Sequence, residues 1–497
     1  MAALGERAEA YRSLRAEVER SILPLATSVD GRRFTLQASL DGLAFRVGGY
    51  VALEGDAGPA LGQLRSLGME QADLGELALG AESAGGIDVR ARLPIRLARG
   101  EGTILDAGGE PFRDRVARPA TDAEVRAWLE GVAPRRARLA VGRLSLSGEA
   151  AFQLDAGGFD RHTFLCGQSG SGKSYALGLI LEQLLLETEL RIVILDPNSD
   201  MVRLAEVRDG AEPSVAERWR ERAVGVAVRA AGPAGADRLR LRFPELDQRA
   251  QGALLRLDPV ADREEYAELA VLLARGSPAG LADLDSRPLQ MRIANLAVDR
   301  LGVWARDDPG SVLDDVVDPA ARCVVVDLGS LPTREEQALV AEAVLRRLWD
   351  RRAERRPVLV VVDEAHNVCP AAPEDALTAL ATEHAVRIAG EGRKFGIYML
   401  VATQRPQKVH ENVVSQCDNL ILMRLNSSAD AGFITARLGF APPGLVALAT
   451  DFRLGEALVA GKIGSHPAVI RFGSRVAQEG GGDVDAAWAV SAGAARG

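Results

Sequence analysis

The chain predicts an α/β fold: a mostly parallel, buried sheet around a phosphate-binding loop, with a small β-barrel domain in front and a helical insertion inside. Three observations predict it. Gly167-Gln168-Ser169-Gly170-Ser171-Gly172-Lys173-Ser174 fits G-x-x-x-x-G-K-[ST], between the apolar run Thr163–Cys166 and a helix-forming stretch from Tyr175. Unbroken apolar runs at 191–195, 323–326, 358–362, 398–401 and 419–423 read as strands covered on both faces, hence a parallel sheet under helices. Between the N-terminal helical stretch and about residue 97 the hydrophobic period is two rather than unbroken.

The first twenty-odd residues place Leu4, Ala8, Tyr11, Leu14, Val18 and Ile22 at helical spacing. Alternation then takes over at Phe34–Leu40 and again from Ile87 to Leu97, with Phe45-Arg46-Val47 and Tyr50–Leu53 between glycine-rich turns. Several short strands with such turns predict a small barrel, so residues 1–132 are expected to be a helix plus β-barrel. Thr121 and Glu124 form a capping box that opens a short helix through Trp128 and Leu129. The arginine-rich stretch 134–138 reads as a linker, and residues 138–475 as the α/β domain. Within it, residues from about 200 to 320 read as a helical insertion, with helices at 218–229, 264–275 and 289–301. A second capping box, Thr333 with Glu336, starts a helix near 333–353, and residues 476–497 read as a flexible Gly/Ala-rich tail.

Composition bounds the function. A formal charge of −9 makes the surface as a whole no magnet for nucleic acid, so any DNA contact needs a local patch or a shared pore. Cys166, Cys323, Cys369 and Cys417 are widely spaced with no C-x-x-C, which argues against a zinc site or disulfide framework. The N-terminus has no basic-then-apolar leader, and the longest greasy stretch, 177–186, is interrupted by Glu182 and Gln183 and too short to span a bilayer. A cytoplasmic protein is expected.

The phosphate loop carries the chemistry. Its glycines let successive amides of Gly167 through Tyr175 turn toward one anion, and the following helix adds its positive end. Lys173 is the candidate counter-charge for the β- and γ-phosphates of ATP, and the Ser174 hydroxyl a candidate Mg²⁺ ligand. Lysine is rare here, four residues among the 60 basic ones, and Lys173 is one of those four. Asp363-Glu364 closes the most apolar strand; Asp363 suits the metal shell and Glu364 suits polarising the attacking water. Gln404, after the next apolar strand, can bond both γ-phosphate and water. Arg393 and Lys394 on a glycine-flanked loop are either solvated charges or, for Arg393, a finger offered to a neighbour's ATP. His366 has no partner at metal spacing and reads as structural, or as a link from the site toward substrate.

Taken in order, Asp160-Arg161-His162, Gly167–Ser174, Leu195-Asp196-Pro197-Asn198, Asp363–Asn367, Gly392–Gly396, Thr403–Pro406, Ser415-Gln416-Cys417 and Gly455–Gly461 resemble the HerA/FtsK group of ring-forming ATPases. The N-terminal strands, with Val47-Gly48-Gly49-Tyr50-Val51, are similar to that family's HAS barrel. The resemblance implies a RecA-like core, a hexamer that threads double-stranded DNA through a central pore, an in-subunit arginine at Arg161 and a donated one at Arg393. It also implies a partner nuclease, in DNA end processing or phage defence. A ring that gates an effector enzyme and a conjugation- or secretion-type motor are the competing readings. A superfamily-two helicase, suggested by Asp-Glu-Ala-His, is excluded by the later position of Thr-Gln-Arg-Pro and by the single nucleotide fold.

Overall fold

The computed structural model describes residues 2–56, 58–78, 90–106, 109–133, 137–148, 150–232, 237–274, 286–305 and 310–481. A first helix, Ala2–Ser21, precedes six strands: β1 (Leu25–Ser28), β2 (Arg33–Ser39), β3 (Tyr50–Leu53), β4 (Ala60–Ala78), β5 (Arg90–Ile104) and β6 (Phe112–Pro119). They close into a barrel in the order β1-β2-β5-β4-β3-β6, every pairing antiparallel. Phe34, Leu36, Val51, Leu53 and Leu64 fill it. Gly100 and Gly102 make room for them, since a Cβ there would lie 2.8 Å from Leu64 Cδ1 and 2.2 Å from Phe34 Cζ. Phe45–Val47, expected among the strands, is a loop instead. Ile87 and Val89 of the second alternating run lie outside the described residues. The helix Asp122–Val132 carries both halves of its capping box, and Glu124 also receives Arg118 at 2.7 Å.

Eleven further strands form one mixed sheet: β7 (Arg138–Leu144), β8 (Ala151–Asp155), β9 (Thr163–Cys166), β10 (Arg191–Asp196), β11 (Val226–Arg229), β12 (Cys323–Asp327), β13 (Val358–Val362), β14 (Ile397–Thr403), β15 (Asn419–Leu422), β16 (Glu456–Gly461) and β17 (Ala468–Phe472). Their order is β11-β12-β10-β13-β14-β9-β15-β16-β17-β7-β8. From β11 to β15 every pairing is parallel. From β15 to β8 every pairing is antiparallel. The expectation of a parallel sheet therefore describes seven strands, and four antiparallel ones extend it. The unbroken apolar runs are buried as expected: β12 and β13 have no exposed residue, because helices cover both faces.

The segment 200–320 is not wholly helical. It holds the helices Pro213–Ala223, Arg263–Ala274 and Arg287–Leu296, but Val226–Arg229, expected at the end of a helix, is β11 and pairs with β12. The start of the expected tail is likewise packed: Val476 and Ala477 are buried, while residues 482–497 lie outside the described set. Pro134–Arg136 of the expected linker also lie outside it, and Arg138 opens β7. The four cysteines are free and buried. Among the described residues no helix is long and apolar enough to cross a membrane.

Candidate active site

The phosphate loop leaves β9, flanked in the sheet by β14 and β15, so the strand ends on either side of it share one carboxyl edge. Gly170 and Gly172 take φ of +71° and +91°, which side-chain-bearing residues adopt only with strain. Neighbouring segments brace the loop's outside: Gln168 donates its amide to Arg424 O, Arg424 reaches Gly170 O, and Gly455 donates to Ser171 O. The helix Lys173–Glu187 then begins, and its first amides have no partners within the helix. This is an anion cradle in form. The Tyr175 side chain points elsewhere, its hydroxyl accepting the Arg475 amide at 2.7 Å, so only its backbone is available to the cradle.

Lys173 and the acidic pair, 190 positions apart in sequence, meet across β14. Lys173 Nζ lies 2.5 Å from Asp363 Oδ1 and 3.1 Å from Glu364 Oε1, with all three residues buried. Burial works against the lysine's charge, but the two carboxylates outweigh it and raise its pKa. Burial likewise raises the pKa of Asp363, with Lys173 opposing. For Glu364 burial acts upward but loses to the His366 hydrogen bond and Lys173, and its pKa falls to about 2. Glu364 is thus ionised at neutral pH, an acceptor held ready.

Local backbone explains why this glutamate faces the site. Glu364 adopts φ +41°, left-handed and costly for a side-chain-bearing residue by roughly 1–2 kcal/mol. The turn swings its carboxylate under Gln404, whose Nε2 donates to Glu364 Oε1 at 2.9 Å. His366 Nδ1 lies 3.2 Å from Glu364 Oε2 and 3.1 Å from Thr403 Oγ1, tying the acidic turn to the end of β14.

The expected metal ligands are only partly together. Ser174 Oγ donates to Asp200 Oδ2 at 2.7 Å, while Asp363 faces Lys173. Asp363 Oδ2 is buried without a hydrogen-bond partner. Hard oxygens of this kind suit Mg²⁺, which binds through one or two carboxylates plus phosphate oxygens. Among the described residues no group of three His, Cys, Asp or Glu side chains could hold a metal ion. Asp196, also buried, accepts the amides of Asp200 and Met201, and burial raises its pKa to about 7. Neither Asp196 nor Asp200 was singled out chemically by sequence; their position just past an apolar strand was the available signal.

The two arginines are elsewhere. Arg161 precedes β9 and Arg393 precedes β14, at the opposite edge of the sheet from the phosphate loop. Four residues of β9 alone separate the edges by roughly 13 Å. Both converge on one carboxylate: Arg393 Nη1 lies 2.5 Å, and Arg161 Nε 3.6 Å, from Asp418 Oδ2. Arg161 therefore does not reach its own protomer's Lys173, and the in-subunit role expected for it is corrected: it stands beside Arg393.

Residues 139–276 match the family model for the central domain of helicase HerA. The chain is 32% identical over 168 residues to the DNA double-strand break repair helicase HerA of Sulfurisphaera tokodaii, covering 32% of this chain and 33% of that one. It is 33% identical over 156 residues to the protein of the same name from Saccharolobus solfataricus, 30% of each chain. The matched stretch thus spans about a third of each relative's length. VirB4 of Thermoanaerobacter pseudethanolicus, a solved structure, superposes with a TM-score of 0.46 at 16% identity, over 69% of this chain and 97% of its own. Over residues 139–276, therefore, the chain is similar to the central domain of helicase HerA.

Proposed function

We propose that this protein hydrolyses ATP with Mg²⁺ and that the energy drives a ring, of six subunits by resemblance, along double-stranded DNA, with a nuclease as working partner. One observation carries the hydrolytic part: a buried lysine, a metal-type aspartate and an ionised glutamate meet where a glycine loop offers its amides. In this reading Lys173 and the amides of Gly167–Tyr175 bind the phosphates, and Ser174 and Asp363 hold the ion, which supplies charge neutralisation on the phosphoryl oxygens. Glu364 accepts a proton from the attacking water, and Gln404, bonded to it, orients that water. For both to happen Lys173 must leave the carboxylates for the phosphates, so nucleotide entry itself frees Glu364.

Arg393, with Arg161 beside it, would complete the site of a neighbouring copy, since neither reaches the loop of its own. The DNA-repair names of the HerA relatives support the DNA part, and the net charge of −9 leaves it to a pore rather than the general surface. The test is the ATPase rate with and without duplex DNA, on protein of measured native mass. Strong stimulation of an assembled ring is the expected result. A DNA-indifferent ring that binds an effector instead supports the gating scaffold, and a monomer with full activity removes the shared site.

A further inference from the structure

The Ser174 hydroxyl, the loop's candidate metal ligand, is held by Asp200 at 2.7 Å and not by the acidic pair. Asp200 is itself fixed from two directions. Its amide donates to Asp196 Oδ1 at 3.1 Å, the next amide, of Met201, donates to Asp196 Oδ2 at 2.7 Å, and its carbonyl accepts the Gly480 amide at 3.0 Å. The last contact comes from the C-terminal strap, residues 473–481, and it leaves little slack. A Cβ on Gly480 would fall 2.2 Å from Ser199 O, and one on Gly481 2.8 Å from Asp200 Oδ1.

The strap reaches this point along the phosphate-loop helix. Its Arg475 amide bonds the Tyr175 hydroxyl, and its Val476 and Ala477 amides bond Glu182. The Arg475 guanidinium lies across Gly178, where a Cβ would sit 2.2 Å from Cζ. An acidic side chain so constrained, against a metal-type hydroxyl and on a residue bonded to Asp196, which itself feels the buried Asp363, is placed for more than packing.

Resting on the ATP–Mg²⁺ reading above, we propose that Asp200 is a positioning residue for the divalent ion. Its carboxylate orients Ser174 before the nucleotide binds and afterwards accepts a hydrogen bond from water that Mg²⁺ retains. Mg²⁺ keeps several waters, and removing a group that orients a metal's shell lowers affinity by about 10–100-fold.

The test measures binding of a fluorescent ATP analogue to full-length wild type, Asp200→Asn and Asp200→Ala, in EDTA and across a Mg²⁺ titration. Asp200→Asn, nearly isosteric, is expected to match wild type within about twofold in EDTA. It should need about 10–100-fold more Mg²⁺ for half-maximal binding enhancement. An unchanged Mg²⁺ requirement, or an equal loss with and without Mg²⁺, overturns the role and leaves Asp200 a packing residue. Unfolding midpoints show whether Asp200→Ala is folded; the asparagine variant decides if it is not. A wild type that binds no analogue overturns the phosphate site and this role together. Wild type with normal Mg²⁺-dependent binding beside an unaffected Asp200→Asn overturns this role alone.

Discussion

Glu182 lies in the middle of the phosphate-loop helix, fully buried, and its carboxylate receives the Val476 and Ala477 amides at 2.8–3.0 Å. The charges facing it are Arg475 of the strap and Arg208 of the adjoining loop. Burial outweighs all of these and raises its pKa from 4.5 to about 7. The folded chain therefore keeps a proton that the unfolded chain releases between those two values. Stability contributed by Glu182 is complete below pH 4.5, falls as pH rises, and is lost above about pH 7. At about 1.4 kcal/mol per unit, a gap of 7 − 4.5 = 2.5 units amounts to roughly 3 kcal/mol. Glu182→Gln removes the titration and retains an acceptor, so it stands in for the protonated glutamate. The variant is expected to be within about 1 kcal/mol of wild type at pH 5 and about 3 kcal/mol more stable at pH 8. Urea unfolding at pH 5, 6, 7 and 8 reads this, and Trp219, buried against the same helix, is a suitable fluorophore. Parallel stability curves for the two proteins, or a variant that is weaker at pH 8, would refute the reasoning.

Lys173→Ala removes the side chain that bridges Asp363 and Glu364 and should lower ATP turnover by at least about 10²-fold; wild-type phosphate release would overturn the site. Glu364→Gln should bind ATP normally while hydrolysis falls by about 10²–10⁴-fold, and undiminished product release would remove Glu364 from its role. Arg393→Ala should lose about 10³-fold in rate even when assembled, with partial recovery in rings mixed with Glu364→Gln subunits. Mixing that restores nothing, from monomers that hydrolyse ATP normally, would end the idea of a donated arginine.

What could be read from the sequence was what physics fixes locally. A phosphate cradle demands glycine and lysine at set spacing, so Gly170, Gly172 and Lys173 were legible, as were the valine-rich strand cores. The capping box at Thr121 was legible for the same reason, being complete within four residues; at Thr333 only one half forms, the side chain accepting the Glu336 amide, while Glu336 takes the Gly302 amide. Val226–Arg229 was not, because four residues after an arginine-rich helix become a strand only through pairing with β12, nearly a hundred positions on. Arg161 misled by adjacency: it stands two residues before β9, yet a strand separates its two ends across the sheet. The strap was hidden by its Gly/Ala composition. Its anchor is a buried glutamate 294 positions earlier, whose need for donors no local window reveals. Asp200 escaped for a related reason, since its meaning comes from Ser174, 26 residues before it, and from Gly480.

The separation of the two edges has a consequence for how such a site could be switched. The Arg393–Asp418 pair is about two-fifths exposed on both sides, and an ion pair in that setting contributes on the order of 0–1 kcal/mol. Exchanging Asp418 for a neighbour's triphosphate therefore costs little, and the triphosphate returns several negative charges to two guanidiniums where one carboxylate stood. At the other edge, Lys173 is bound to two buried carboxylates, and breaking that contact without replacement costs about 3–5 kcal/mol. The two halves are unequal: the arginine edge is easily released, while the lysine edge opens only when phosphate takes the carboxylates' place. If the proposed assembly holds, one surface meets a different surface of the next copy, the head-to-tail geometry that closes into rings when the rotation permits. The stiff half then decides whether a nucleotide is present, and the loose half whether a neighbour is.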